Sequence, residues 1–338
     1  MNKKRVVVFG ATGTVGAYLM MDLLEHDFLL YAVGHRPSDN GFFAQYGIPY
    51  YSVDLANPQS FSVLPDGNID AVVHLAGAIP ARMQGYYPQR YIDTIMTGTI
   101  NVLDYCVRVG VKRFIFAQSI ADVAYLYNSQ TPIPADAAMS FPKNDDHSIY
   151  SICKTAAVHM AQHYEAKYGI KAFILRFPNI YLYHPNPLYY VDGQERWQSY
   201  RYLIERAKRG EQIELWGNPN KVRDIVYVKD CIQIIRKALL SEAAGGIYNV
   251  GTGIGTSMRE QIEGIIQVFS PSDKRSAIIE CPQKADSVEY IMDVSKTTQE
   301  LGYMPQYDYL SYLRDMKKEM EMQRFALLWG KDLSNIVR

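Results

Sequence analysis

Three side chains of this sequence could together move a proton at a hydroxyl group. Tyr150 and Lys154 lie four positions apart in a segment predicted to be helical, so both project from one face. A free tyrosine has a pKa of about 10, and a neighbouring ammonium group favours its phenolate form. Tyr150 could then take the proton of a substrate hydroxyl. Ser119, at the end of a predicted strand, could hydrogen-bond the reacting oxygen, so we predict these three residues as the catalytic groups.

The N-terminal segment carries a glycine pattern typical of a phosphate-binding turn. An apolar run leads into Gly10, Gly13 and Gly16, spaced as G-x-x-G-x-x-G. Glycine permits positive φ and close backbone approach, and the helix that follows presents free N–H groups to a pyrophosphate. An ordinary strand–helix turn is the alternative, but the position directly after the first strand favours a dinucleotide. The residues expected to contact it are Gly10, Thr12, Gly13, Thr14, Val15 and Gly16.

The end of the second strand bears on which dinucleotide binds. NAD sites usually place Asp or Glu there to bind the ribose hydroxyls, whereas this strand ends in Gly34-His35-Arg36. Arg36 could pair with a 2′-phosphate, so NADP is favoured over NAD; the alternative is a solvated Arg36 and weak selectivity. Asp54, after the third strand, is a candidate partner of the adenine amino group, and His74 is expected to be a core residue. The other predicted cofactor contacts are His35, Leu55, Leu75, Ala76 and Gly77, with Tyr150 and Lys154 beside the nicotinamide ribose.

These residues need a framework in which the ends of several strands converge. Apolar runs without polar alternation are typical of strands buried on both faces. They alternate with helix-like segments, which predicts an α/β fold with a Rossmann-type, doubly wound parallel sheet. The predicted strands are Val6–Phe9, Leu29–Val33, Tyr50–Val53, Ala71–Leu75, Phe114–Ala117 and Ala172–Arg176, and the predicted helices are Gly13–His26, Arg90–Val109 and Ile149–Tyr168.

The amino-acid composition of the chain changes near residue 176. We predict a dinucleotide-binding domain over residues 1–175, to which a segment near 222–252 returns, and a smaller, mainly substrate-binding α/β lobe over 176–338. Residues 177–202 are rich in Pro, Asn and Tyr and are expected to be irregular. The tail 325–338 is ambiguous and could be a docked helix.

Composition narrows the class of protein. The 338 residues carry 35 lysines and arginines against 35 aspartates and glutamates, so no basic excess indicates a nucleic-acid or membrane partner. The apolar runs fall short of the roughly 20 residues that span a bilayer. The cysteines are widely spaced and form no metal-binding pattern, which indicates free buried thiols and a cytoplasmic location; they are Cys106, Cys153, Cys231 and Cys281.

Taken with the glycine turn and the Tyr–Lys pair, several ordered motifs resemble the extended short-chain dehydrogenase/reductase family, which includes nucleotide-sugar epimerases, dehydratases and reductases. The resemblance extends to about Pro305. Its further motifs are V-H-L-A-G at 73–77, G-T-I-N at 98–101, R-F-P-N-I-Y at 176–181, R-D-I-V-Y-V-K-D at 223–230 and Y-N-V-G-T-G at 248–253.

The resemblance implies a nucleotide-diphosphate sugar in the C-terminal lobe. On that basis Asn179 and Arg223 bind the diphosphate, which suits the forked guanidinium, and Leu215 and Trp216 lie near the base, with core packing as the alternative for Trp216. Lys284 stands where the family has a phosphate-binding arginine, and lysine can still hold a phosphate as a point charge.

Two departures from the family pattern are informative. Ile95 replaces the asparagine that often precedes the G-T pair, and Ile120-Ala121-Asp122 replaces the Asp-Glu pair of sugar dehydratases. The second departure argues against dehydration, which needs an acid and a base to remove water.

Three functions remain open from the sequence. The leading one is a nucleotide-sugar epimerase in which Tyr150 removes a proton as hydride passes to the cofactor, and hydride then returns to the other face of the sugar. The alternatives are an NADPH-dependent keto-sugar reductase and a redox-sensing regulator with an inactive site. The family commonly pairs two subunits, so a homodimer is expected; the apolar positions that could either form its surface or face the sheet are Ile92, Ile95, Val102, Val158 and Ala161.

Overall fold

The apolar runs of the sequence form the strands of the protein. The computed structural model describes residues 3–144, 147–191 and 193–330. Its strands are β1 (Arg5–Phe9), β2 (Leu29–Gly34), β3 (Tyr50–Ser52), β4 (Ala71–His74), β5 (Arg113–Ser119), β6 (Lys171–Phe177), β7 (Ile180–Tyr181), β8 (Leu188–Val191), β9 (Gln194–Trp197), β10 (Ile213–Trp216), β11 (Val222–Asp224), β12 (Val226–Tyr227), β13 (Gly246–Asn249), β14 (Gly255–Ser257) and β15 (Ile278–Cys281).

The helices lie between these strands and, at the end, beyond them. They are α1 (Thr14–Glu25), α2 (Pro88–Tyr91), α3 (Gly98–Arg108), α4 (Ser148–Tyr168), α5 (Ser199–Lys208), α6 (Val228–Leu240), α7 (Met258–Phe269), α8 (Ser295–Leu301), α9 (Tyr309–Met322) and α10 (Ala326–Trp329). A π-helical turn, Ile92–Thr97, joins α2 to α3, and short 3₁₀ turns occupy Phe43–Tyr46, Pro58–Val63, Pro80–Arg82 and Ile120–Leu126.

Seven parallel strands make the central sheet, in the order β13-β6-β5-β4-β1-β2-β3. The chain winds from β1 toward β3 and then returns through β4 toward β13, so the winding direction reverses between β1 and β4. Ligands of such sheets bind in the crevice outside the carboxyl ends of the strands at this point. The prediction of a Rossmann-type, doubly wound α/β fold is confirmed.

The burial of these strands explains why the sequence predicts them well. Val6, Val7, Val8 and Phe9 of β1 are all fully buried, because helices cover both faces of the sheet. The six predicted strands correspond to β1–β6, and the three predicted helices correspond to α1, to the continuous stretch from α2 through α3, and to α4.

The C-terminal half contains both the smaller sheets and a return to the central one. β13 pairs with β6 and α6 packs on α1, so chain from beyond residue 222 completes the central sheet and its helical layer. The prediction of irregular structure over 177–202 is wrong in part, since β8 and β9 form an antiparallel hairpin there and α5 begins at Ser199. This hairpin could not be predicted from the sequence, because the residues of β8 and β9 do not alternate between apolar and polar. None of the residues in these two strands is fully buried.

The last described residues form a docked segment. Trp329 of α10 packs on Tyr18 of α1, which agrees with a docked helix, whereas 331–338 lie outside the described residues. The four cysteines are free and buried. Across the described ranges, no helix combines the length and apolarity that crossing a bilayer requires.

Candidate active site

The glycine turn after β1 is built for close backbone approach. Gly10 has φ +88°, and a Cβ there would lie 2.9 Å from the Ala76 nitrogen, so the turn packs directly on the strand end after β4. At Gly16 a Cβ would collide with the Gly10 carbonyl oxygen. Gly13 caps α1, whose first-turn N–H groups begin at Thr14. This cradle, which side chains would fill, fits a pyrophosphate at the positive end of the helix.

A side chain at the last position of β2 would require its neighbours to shift. A Cβ on Gly34 would lie 2.8 Å from the Tyr50 hydroxyl oxygen and 2.9 Å from Thr12 Oγ1. The Tyr50 hydroxyl donates to the Arg36 carbonyl at 2.7 Å, which fixes the backbone here. The Arg36 guanidinium donates through Nη1 to the Leu328 carbonyl at 2.9 Å, while His35 is exposed. Arg36 is therefore ordered rather than freely solvated.

The predicted adenine contacts lie at the next strand ends. Asp54 is exposed and its carboxylate accepts from the Ala56 N–H at 3.0 Å, whereas Leu55 is buried and its carbonyl accepts from Asn101 at 2.7 Å. Asp54 thus remains accessible to a ligand, and the carbonyl of Leu55 is engaged in holding α3.

The strand end after β4 passes close to the glycine turn. Leu75 donates its N–H to the Phe9 carbonyl at 2.9 Å, and Gly77 has φ +148° with the Ile95 side chain 3.1 Å from where a Cβ would stand. His74 is fully buried and contacts Thr99 Oγ1 through Nε2 at 3.1 Å. Burial lowers the pKa of His74 to about 3, so it is a neutral core residue, as the sequence suggested.

Tyr150 lies on the first turn of α4 and is largely buried. Its ring packs edge-on against Tyr91 with centroids 5.7 Å apart, and its hydroxyl is hydrogen-bonded to Ser119. Burial raises the pKa of Tyr150 to about 12, against the opposing hydrogen bond from Ser119. In this arrangement the phenol is protonated at neutral pH and is a proton donor.

Lys154 lies one turn further along α4 and is tied to β5. Its Nζ donates to the Ala117 carbonyl at 2.6 Å and lies 4.7 Å from the centroid of the Phe116 ring. Burial lowers the pKa of Lys154 to about 8. Lys154 Nζ is therefore directed at the backbone of β5, and burial of the phenol is the main cause of the raised pKa of Tyr150. Tyr150, Ser119 and Lys154 nevertheless meet at the carboxyl end of one strand.

Arg223 contacts β7, the short strand that Asn179 precedes. Asn179 is exposed just before β7, whose Tyr181 hydroxyl is hydrogen-bonded to Arg223. The Arg223 guanidinium also donates to the Val288 carbonyl at 3.3 Å and lies 5.9 Å from the centroid of the Tyr290 ring. A cation with this aromatic support can still offer donors to a phosphate.

Trp216 and Lys284 form a separate surface cluster. The Trp216 indole is half exposed and lies 4.3 Å from Lys284 Nζ, and both groups bond the Glu214 carboxylate, at 2.7 Å and 2.5 Å. A phosphate bound to Lys284 would have to share the ammonium group with the Glu214 carboxylate. Alternation along β10 turns the Leu215 side chain into the core, where it is 1% exposed, so its backbone is the part left to lie near a base.

The family model for the NAD dependent epimerase/dehydratase family matches residues 6–251, which include the glycine turn, the Tyr–Lys pair and Arg223. The chain belongs to this family. The resemblance noted from the motifs is thereby confirmed.

Several UDP-glucose 4-epimerases are similar to this chain along nearly the full length of both proteins. A UDP-glucose 4-epimerase of Pisum sativum is 23% identical over 340 residues, which cover 93% of this chain and 95% of the relative. The crystal structure of the Thermotoga maritima UDP-glucose 4-epimerase with UDP-glucose matches with a TM-score of 0.71 at 23% identity, covering 93% of this chain and 99% of the other. A Thermus thermophilus UDP-glucose 4-epimerase in complex with NAD matches with a TM-score of 0.70, 23% identity and the same coverage. These likenesses establish the fold.

Two features of the site in this family member were not found from the sequence. Asp122 and Arg176 form a buried ion pair at 2.9 Å, and Arg176 also donates to Asn249 at 3.1 Å. The signal for Arg176 was its place in the R-x-x-N motif, but no local pattern links it to a carboxylate 54 residues earlier. The other missed feature is the aromatic contact of Tyr91 with Tyr150.

Of the five apolar positions considered for a subunit interface, four are buried in the core and one is exposed. Ile95, Val102, Val158 and Ala161 are buried in the same core cluster, which is the alternative stated for them, whereas Ile92 is partly exposed. A surface formed by these helices would instead use exposed residues such as Ile100 and Ile152.

Proposed function

We propose that the protein is an NAD(P)-dependent epimerase of a nucleotide-diphosphate sugar that works by transient oxidation of a sugar hydroxyl. The observation that carries this proposal is the meeting of Tyr150, Ser119 and Lys154 at the carboxyl end of β5, on the same edge of the sheet as the glycine turn. The bound nicotinamide would supply reversible oxidation of one sugar carbon.

The residues of the chain would supply the proton chemistry. Tyr150 accepts the proton of the sugar hydroxyl and later returns it, while Ser119 hydrogen-bonds the same oxygen. Because burial holds the pKa of Tyr150 near 12, the phenolate needs a positive group close to its oxygen. Lys154, protonated below its pKa of about 8, provides one when its ammonium group turns from Ala117 toward the ribose and the phenol.

The substrate contacts follow from the C-terminal lobe. Asn179 and Arg223 would hold the diphosphate, Lys284 a phosphate oxygen and Trp216 the base. Because the Thermotoga maritima relative was crystallised with UDP-glucose, uridine-diphosphate sugars are the first substrates to test. We assign cofactor binding to residues 1–175 together with the segment near 222–252 that returns to the same domain. The sugar nucleotide is held mainly by residues 176–338.

NADP is the proposed cofactor even though the Thermus thermophilus relative is in complex with NAD. No acidic residue stands at the end of β2, where a side chain in place of Gly34 would press on Tyr50 and Thr12, and Arg36 is positioned just beyond.

The proposal also includes the oligomeric state and the location of the protein. Two subunits would form a homodimer through the exposed faces of the α2–α3 stretch and of α4. The buried free thiols suit a cytoplasmic location.

The same observation at Gly34 and Arg36 favours a second candidate, an NADPH-dependent reductase of a nucleotide keto-sugar. A reductase consumes one NADPH per turnover and uses Tyr150 as an acid, which matches a phenol that is protonated at neutral pH.

Two incubations separate the candidates: one with a panel of uridine-diphosphate sugars, and one with uridine-diphosphate keto-sugars and NADPH. Each is followed by chromatography of the products, and the cofactor released on denaturation is identified. Conversion to an epimer without net change in NAD(P)H supports the epimerase. NADPH oxidation with a keto-sugar and no epimer establishes the reductase instead. Failure of both reactions in protein that holds cofactor would overturn the catalytic proposal.

A further inference from the structure

The last described residues lie against the predicted cofactor site. After α9 the chain reverses at Gln323, which has φ +45°, and Phe325–Trp329 then lies against α1 and the segment that follows β2. Phe325 and Leu328 are almost fully buried. We call residues Phe325–Trp329 the C-terminal strap.

The strap makes polar contacts with three segments of the dinucleotide-binding half. Trp329 Nε1 donates to the Thr12 carbonyl at 3.0 Å, inside the glycine turn. Arg36 Nη1 donates to the Leu328 carbonyl at 2.9 Å. Asn40 donates to the Leu327 carbonyl at 3.1 Å. One short segment therefore joins the predicted pyrophosphate turn to the predicted 2′-phosphate ligand.

Aromatic packing anchors the strap in this position. Phe325 lies against Tyr18 of α1 and against Phe42, with centroids 4.8 Å and 5.7 Å away. Trp329 packs between Tyr18, at 6.1 Å, and His184 of the substrate-side segment, at 4.7 Å. Buried aromatic contacts of this kind hold a chain end that would otherwise fray.

We propose that the C-terminal strap sets the affinity and the 2′-phosphate selectivity of the cofactor site. Trp329 is a positioning residue that fixes the peptide of Thr12, and the Leu328 carbonyl orients the guanidinium of Arg36. This inference rests on the proposed NAD(P) function and names the ligand class as a dinucleotide with a 2′-phosphorylated adenosine.

The physical reason is preorganisation. A free arginine side chain loses rotamer freedom when it binds a phosphate, and this loss weakens binding. With Nη1 already held by the strap, the side chain of Arg36 is ordered before the ligand arrives, and Nε and Nη2 remain as a fork for phosphate oxygens. The Thr12 contact likewise holds the glycine turn in the conformation that a pyrophosphate needs.

The test measures dissociation constants of NADPH and NADH by fluorescence titration, without substrate. Trp329→Phe keeps the ring on Tyr18 and removes the indole donor, so both constants should rise about fivefold, as for the loss of one hydrogen bond. Leu327→Ala is the matched control, because this exposed side chain belongs to the strap while its contact with Asn40 is through the backbone; its constants should equal those of the wild type.

A second variant, ending at Arg324, removes the strap and frees Arg36. We expect the preference for NADPH over NADH to fall about tenfold, and Trp329→Phe keeps the proposal testable if this variant does not fold. Wild-type constants and wild-type preference in Trp329→Phe would overturn the role of the strap while leaving the proposed function intact. A wild-type protein that binds neither nucleotide would overturn the cofactor proposal and the strap with it.

Discussion

The carboxylate of Asp122 and the guanidinium of Arg176 meet at 2.9 Å with both side chains almost completely buried. Asp122 follows Ser119 by three residues, and Arg176 lies on the neighbouring strand β6, so the pair joins the ends of two strands beside the candidate catalytic groups. Gln118 adds a contact to Asp122 at 3.3 Å. Burial raises the pKa of Asp122 and the charge of Arg176 opposes that rise, so each charge depends on the other.

Replacing Asp122 by Asn should therefore destabilise the protein strongly. The change leaves the buried Arg176 without its countercharge, which typically costs about 3–5 kcal/mol. The free energy of unfolding in urea measures the effect. Asp66→Asn, which breaks the exposed pair with Arg108, is the matched control and should change stability far less. Equal effects of the two changes would contradict the structural role given to the buried pair.

Removing the phenol hydroxyl tests the proton-transfer role. Tyr150→Phe should lower turnover by about 10²- to 10⁴-fold, the usual contribution of a positioned acid–base group, while cofactor affinity stays close to that of the wild type. Tyr168→Phe, at the exposed end of the same helix, should leave turnover unchanged. Unaltered turnover in Tyr150→Phe would show that another group moves the proton.

Ser119 should influence the pH dependence of the reaction. Its hydrogen bond lowers the pKa of Tyr150, so Ser119→Ala removes that effect and the pKa rises further. If the phenolate is the active base, kcat/KM rises with pH as Tyr150 loses its proton, and this limb should move to higher pH in the variant. A pH profile that falls in amplitude without moving would mean that Ser119 acts on the substrate oxygen alone.

Lys154 is expected to reduce stability at neutral pH. Burial lowers its pKa from 10.5 to about 8, so the unfolded chain binds its proton more tightly than the folded protein does. The destabilisation is complete below pH 8 and is relieved as the pH rises toward 10.5. Lys154→Met should thus raise the free energy of unfolding at pH 7 by up to about 3 kcal/mol, with loss of turnover. Lys167→Met, at an exposed position of α4, is the control; a less stable Lys154→Met would refute the argument.

Much of the sheet could be read from the sequence because the signal there is local. Runs such as Val6–Phe9 are apolar on both faces, and Gly10 and Gly16 are required by contacts within the same turn. The helical spacing of Tyr150 and Lys154 likewise needs no tertiary information.

The remainder depends on contacts between distant segments. The orientation of Lys154 toward Ala117 and the pairing of Asp122 with Arg176 arise only when β5, β6 and α4 are packed together. Leu215 and Trp216 were grouped by position, but strand alternation sends one into the core and the other to the surface. The docking of Trp329 on Thr12 joins residues 317 positions apart, which no periodicity records.

Gly34 has a consequence for the order in which substitutions could accumulate at the end of β2. The space that an aspartate would need is taken by the Tyr50 hydroxyl on the adjacent strand and by Thr12 Oγ1. A single substitution to an acidic residue therefore meets a steric barrier before it gains any contact with a ribose. An acidic residue at position 34 fits more readily after a substitution that shortens Tyr50 on β3, so packing constrains the order in which these two changes can be acquired.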